Sequence, residues 1–312
     1  MKLKHVKSFK GMTIIFGCMV FVLFLGLQLN AAEKQVVEKS FAAKKAVVIK
    51  TVSGDCIIEK GAGDKITVKV VHTFSTQYFE PIFKEEGDTL VLEEKFKKQG
   101  EEGHSSHHGE STWTVIVPEN TKLESSSASG DVTVKGTKSD VRVKTASGDI
   151  HVENSKGFCV IKTASGDIDV QKAEGNISVG SASGDVNLSA VTGTLEINVV
   201  SGEIHAEGIH VGGNSAFKSV SGDVEIKLVK SSDYNMELAT VSGDIQLDYA
   251  GNTVKGYFEF KGQKGNIDSD IALNDHEGTN KYNPFVTQYF KQGGDSPKVT
   301  CETVSGSISF KK

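Results

Sequence analysis

Six aspartates stand at near-regular intervals through the middle of the chain: Asp131, Asp149, Asp167, Asp185, Asp223 and Asp244, with Glu203 in the gap. Stacked carboxylates suit a hard cation, so calcium is the chemistry to consider first. The known nonapeptide calcium roll uses a Gly-Gly-x-Gly-x-Asp turn, which this sequence lacks. Each of these acids follows a glycine within Ala/Val-Ser-Gly-Asp or a close variant. In that setting Ser and Asp accept hydrogen bonds from turn N–H groups that would otherwise go unpaired. Structural turn-capping is therefore the expected role. A calcium-dependent surface module is the alternative.

A second cluster lies in "EEGHSSHHGE", Glu101 to Glu110. Three imidazoles, His104, His107 and His108, could hold zinc or copper. No helical pattern aligns them, and a solvated hairpin loop is expected. Beyond the first 32 residues the cysteines are Cys56, Cys159 and Cys301. Their register places them inward as small hydrophobes, and Cys56 with Cys301 is the one disulfide worth testing. No serine has a companion histidine at a matching position, and His151 and His205 fall three coils, ~14 Å, apart. No catalytic residue is predicted. A polysaccharide-acting enzyme is the weakest alternative, resting on the acids Asp268, Asp270, Asp275 and Glu277.

The elements that carry these residues follow from one repeat. Gly130, Gly148, Gly166, Gly184 and Gly202 are 18 residues apart, and Ser139, Gly157, Gly175 and Gly193 lie midway. Spacing widens at Gly222 and Gly243, and the motif shows again at Gly54 and Gly306. Two residues after each register position comes Val132, Val141, Ile150, Cys159, Ile168, Ile177, Val186, Leu195 or Ile204. Four residues after it comes Val134, Val143, Val152, Ile161, Val170, Val179, Leu188, Ile197 or Ala206. The residue between is polar in nearly every copy. That alternation is a strand with one buried face.

So short a strand can bury its face only against copies of itself. The expectation is an all-β, two-sided β-solenoid with ~18-residue coils, seven or so of them between residues 125 and 250, making a rod of ~30 Å. Gly130, Gly148, Gly166, Gly184, Gly202, Gly222 and Gly243 are the structural turn residues, expected to supply a positive-φ corner. The small residue before each Ser-Gly (Ala128, Ala146, Ala164, Ala182, Val200, Val220, Val241, Val304) is expected to turn into the narrow core.

Four segments result. Residues 1–32 read as a signal peptide, with Lys2, Lys4, Lys7 and Lys10 before an apolar run from Thr13 to Leu27 and small residues at Ala31 and Ala32. Residues 33–124 form an N-terminal β region with a first rung, longer strands at Ile66–Phe74, Thr89–Phe96 and Thr112–Val117, and a cap. Residues 125–250 are the regular repeats. Residues 251–312 are an irregular, aromatic-rich excursion and a closing rung, expected to cover the open end.

The whole chain of 312 residues has 35 Lys and Arg against 40 Asp and Glu. Losing the leader removes four Lys and no acid, leaving 31 basic side chains and a net charge of −9. Arg142 is the one arginine. Phosphate recognition favours arginine forks and nucleic-acid binding needs a basic stripe. Nucleic acid is excluded as a partner, and no membrane insertion is expected once the leader is removed.

"WTVIVPENTKLESSSASGDVTVKG" (Trp113–Gly136) resembles the entry segment of the bacterial putative-adhesin family of exported β-solenoid domains, where a strand ending in Val-Pro leads into Ser-Gly-Asp-Val repeats. "KVTCETVSGSISFKK" (Lys298–Lys312) is similar to that family's closing rung. The resemblance implies an exported solenoid, in the periplasm, at the cell surface or secreted, and supplies no catalytic residues. The aromatic stretch at 251–297 departs from the family pattern. The combined expectation is a non-enzymatic protein without a cofactor, presenting a repetitive surface for adhesion, envelope scaffolding, or binding of a cell-surface protein or glycan.

Overall fold

The alternation of buried and exposed residues sets the strands of the repeats, as in β10 and β11. A computed structural model describes residues 34–97, 109–275 and 284–312. The leader at 1–32 and the histidines His104, His107 and His108 lie outside the described residues.

The N-terminal strands are β1 (Gln35–Ala42), β2 (Ala46–Lys50), β3 (Asp55–Lys60), β4 (Lys65–His72), β5 (Phe79–Glu86), β6 (Thr89–Phe96) and β7 (Ser111–Val117). The repeats follow as β8 (Lys122–Ser127), β9 (Val132–Lys135), β10 (Val141–Ser147), β11 (Ile150–Glu153), β12 (Lys156–Ser165), β13 (Ile168–Gln171), β14 (Glu174–Ser183) and β15 (Val186–Ser189). They continue through β16 (Thr192–Ser201), β17 (Ile204–Val211), β18 (Ser215–Ser221), β19 (Val224–Leu228), β20 (Met236–Ser242) and β21 (Ile245–Asp248). The C-terminal part holds β22 (Gly256–Gln263), β23 (Ile267–Ser269), β24 (Asn274–Asp275), β25 (Phe285–Gln292), β26 (Lys298–Ser305) and β27 (Ile308–Lys311).

Even- and odd-numbered strands of the repeats form two parallel sheets. In sheet B, β8, β10, β12, β14, β16, β18 and β20 stack in order. In sheet A, β9, β11, β13, β15, β17, β19 and β21 do the same. Val132, Ile150, Ile168 and Val186 are partners in register, as are Val141, Cys159, Ile177 and Leu195. These side chains meet between the sheets in one continuous hydrophobic core. The fold is a two-sided β-solenoid.

Both terminal rungs are inserted into the stack rather than left at its ends. β2 and β3 lie between the β6/β7 rung and the β8/β9 rung. At the other end β26 and β27 lie between β20/β21 and β22/β23. Antiparallel strands then cover the stack: β4 on β7 and β1 on β4, β5 on β6, and β25 on β22. Outer strand β5 carries Pro81, which cannot donate to a further strand. At the C-terminal end Tyr249, Phe258, Phe260, Phe290 and Phe310 pack as one ring cluster, with Phe258 and Phe290 stacked at 4.4 Å. Strands β1 and β5 were absent from the sequence reading, and β4 and β7 are shifted slightly from it.

Two details of the corner differ from expectation. The small residues before Ser-Gly point outward. Val200, Val220, Val241 and Val304 are 45–55% exposed, and Ala128, Ala146, Ala164 and Ala182 are exposed too. Strand alternation runs on through this position, so the inward residue is one earlier: Thr145, Thr163, Ser181, Ser219, Thr240 and Thr303 are buried. Several of these hydroxyls donate to a glycine carbonyl of the preceding rung, as Thr240 does to Gly222 at 3.0 Å and Thr303 to Gly243 at 2.9 Å.

The glycines also have a different common cause. Left-handed φ occurs at Gly166, Gly184, Gly202 and Gly222 but not at Gly130, Gly148 or Gly243. What all share is the stack itself. A Cβ at Gly148 would overlap the carbonyl oxygen of Gly130, and one at Gly243 that of Gly222. Close backbone approach between rungs, rather than dihedral angle alone, demands glycine here.

Candidate functional site

The aspartate column forms a hydrogen-bonded ladder along one edge. The N–H of Asp149 donates to Asp131 Oδ1 at 2.8 Å, Asp167 to Asp149 at 2.8 Å, and Asp185 to Asp167 at 2.9 Å. Glu203 donates to Asp185 at 2.9 Å, Asp244 to Asp223 at 2.7 Å, and Ser307 to Asp244 at 2.7 Å. Asp55 receives the N–H of Asp131 at 3.1 Å and so joins the ladder. A hydrogen bond to a charged acceptor contributes about 1.5–3 kcal/mol. That exceeds the ~0.8 kcal/mol repulsion between carboxylates ~5 Å apart in water, so the ladder outweighs the crowding of like charges. Among the described residues no group of three or more His, Cys, Asp or Glu side chains converges on a metal-sized site.

Cys56, Cys159 and Cys301 are free and buried. Burial pushes each thiol up to about 12. A Cys56–Cys301 disulfide is ruled out. Cys56 sits on β3 near one end of the stack and Cys301 on β26 near the other, with the seven regular rungs between them. At ~4.8 Å per rung that separation far exceeds any disulfide reach.

The outer face of sheet A carries imidazole–carboxylate pairs. His151 Nδ1 lies 3.0 Å from Asp169, and His205 Nδ1 lies 3.0 Å from Glu225. Both histidines occupy one outward column, three rungs apart as expected, with Asp169 and Asn187 between them.

One buried structural carboxylate is not predicted from the sequence. Glu94, on β6, is buried and takes the N–H groups of Val52 (2.6 Å) and Ser53 (3.1 Å). It also accepts the Trp113 indole N–H at 3.0 Å and the Ser111 hydroxyl. The signal was present: Leu90, Leu92 and Glu94 share inward parity, and an acid in that column needs several donors.

A concavity lies on sheet B, where the repeat loses its 18-residue period. Extra residues at 212–214 and 229–235 sit just before β18 and β20. A groove of about 580 Å³ results, lined by outward side chains of β16, β18, β20, β26 and β22. One column presents Thr194, Asn214, Asn235 and Lys298, and the next presents Glu196, Ala216, Glu237 and Thr300. Asn235 is fixed in the first column, its Oδ1 accepting the Lys298 N–H at 2.8 Å. Tyr257 continues that column beside Lys298 and stands 5.7 Å from Tyr289. Lys261 and Lys298 both approach Glu259, at 3.0 and 3.4 Å. These cations hold the Glu259 carboxyl below its ordinary value against the opposing effect of burial.

A parallel two-sheet stack with this turn chemistry defines a class of β-solenoid domains. The chain belongs to the Toastrack DUF4097 family, whose model matches residues 44–283. Among solved structures it is similar to a "putative lipid binding protein" from Parabacteroides distasonis, with a TM-score of 0.53 and 14% identity over 90% of this chain and 98% of that one. It also matches a "putative adhesin" from Bacteroides fragilis, with a TM-score of 0.43 and 14% identity over 90% and 98%. A further "putative adhesin" from Parabacteroides distasonis has a TM-score of 0.46 and 13% identity over 90% and 98%. At these identities the first likeness bears on the fold alone. No curated protein gives a significant match.

Proposed function

We propose that the protein is an exported, non-enzymatic β-solenoid that works by presenting a repetitive outer surface, in adhesion, envelope scaffolding, or binding of a protein or glycan partner. One observation carries the reading: outward side chains stand in file along a rod built from continuous backbone ladders. Thr133, His151, Asp169, Asn187, His205, Glu225 and Gln246 form one such column across consecutive rungs. A surface of this kind binds by many contacts in file along its length, as extended solenoid faces do. The non-enzymatic reading is supported by the thiols of Cys56, Cys159 and Cys301, which are sealed in the core.

The test is binding of labelled protein lacking residues 1–32 to cell-envelope fractions and intact cells, run beside a polysaccharide-hydrolysis assay. Saturable binding without product release is expected. Turnover of a polysaccharide, or no binding to any surface, would overturn the proposal. Melting curves in excess calcium and in chelator are expected to coincide, and a calcium-dependent transition would favour the cation-bridged alternative.

A further inference from the structure

We infer that the groove on sheet B is a binding site for a neutral glycan laid along the rod axis. This rests on the reading of the protein as a surface-binding solenoid. Asn214, Thr194 and Thr300 offer amide and hydroxyl groups and Glu196 offers a carboxylate, while Glu237 is paired with Lys218 at 2.8 Å. Together they supply the paired donors and acceptors that sugar hydroxyls require. Ala216 and Thr300 are short where Glu196 and Glu237 are long, which hollows the face between them.

Just beyond the groove's lining, in register with Lys298, Tyr257 is an amphipathic platform. Its hydroxyl lies 3.3 Å from Glu259, and Lys291 and Lys298 stand 5.3 and 5.6 Å from its ring centre. Sugar C–H faces pack against such rings while their hydroxyls reach the polar rim. Rungs repeat at ~4.8 Å along the axis, close to the length of one pyranose unit. Successive sugars therefore meet the same columns of side chains.

Charge selects a neutral chain. Lys261 is paired with Glu259 and with Glu302 at 3.6 Å, and Lys298 with Glu259. The lysines are thus committed, while Glu196 would repel an acidic sugar. A peptide fits less well. The groove lies on an outer face whose backbone groups are used within the sheet, so it offers no edge for strand addition.

The experiment is a glycan array probed with protein lacking residues 1–32, carrying neutral and acidic oligosaccharides. It is repeated with Tyr257→Ala, with Glu196→Gln, and with Ser40→Ala, exposed on β1 at the other end of the stack, as control. Binding to neutral glycans is expected, weakened about tenfold by Tyr257→Ala and unchanged by Ser40→Ala. Glu196→Gln keeps the side chain's shape at an exposed position, so its weaker binding at an unchanged melting point separates recognition from folding. Binding confined to acidic glycans, or binding indifferent to both groove variants, overturns the inference. An array without hits, alongside intact binding to cells, removes the glycan site and leaves the surface-presenting function standing. No binding to array or cells removes both.

Discussion

Replacing Gly148 by alanine tests the stacking argument at its narrowest point. A Cβ there would overlap the Gly130 carbonyl carbon and oxygen one rung below. The rungs cannot part to admit it. The Gly148 N–H is bonded to the Ser165 carbonyl at 3.1 Å, and the adjacent Asp149 N–H to Asp131 at 2.8 Å. Overpacking of this kind costs about 1–3 kcal/mol, and a weakened ladder bond adds about 1 kcal/mol. The expected loss is therefore about 2–4 kcal/mol. Gly148 does not have a left-handed φ, so the loss is steric rather than conformational. Gly63→Ala is the matched control: its Cβ would meet nothing, its φ is ordinary, and its cost is expected within ~0.5 kcal/mol. Urea unfolding followed by circular dichroism and by Trp113 fluorescence reads both variants. Equal stability of the two would refute the claim that glycine is required by rung contact.

Glu94→Ala strips a buried acceptor from four donors and is expected to cost about 3 kcal/mol or more. Trp113, the single tryptophan, reports the change through its emission. Glu119 is held down at about 2 by Lys138 and Lys60, which tie the entry turn to the first rungs. Its stabilising effect is full above the unfolded value of about 4.3 and is lost as pH falls towards 2. Melting temperature should fall across that window in the parent protein and fall less in Glu119→Gln. Tyr249 has a buried hydroxyl without a hydrogen-bond partner, and burial raises its phenol. Tyr249→Phe is expected to leave stability unchanged or raise it by up to about 1 kcal/mol, and a clear loss in thermal melting would contradict the packing described.

Much of this architecture was written in local order. The nine-residue spacing of Val132, Val141, Ile150 and Cys159 specified strands, their inward parity and a stack of coils, because only repetition buries so short a strand. The Ser-Gly-Asp turn announced acceptors for its own N–H groups, whereas Asp149 takes the N–H of Asp167 in the next rung, a partner that only the stack supplies. Other features depended on neighbours distant in the chain. Val200 and its equivalents face solvent because the strand continues past them, which no turn propensity reveals. The terminal rungs slot inside the stack because Gly54 meets Gly130 and Gly306 meets Gly243, pairings unrelated to sequence distance. Glu94 became meaningful only when Val52, Ser53 and Trp113 were brought around it. The groove arose where Asn214, Asn235 and Lys298 fell into one file. By itself the sequence determined the repeat and the buried column, since these follow from period and side-chain volume. Only the tertiary structure decided which distant backbones meet, because that depends on the free strand edges each end must satisfy with hydrogen bonds.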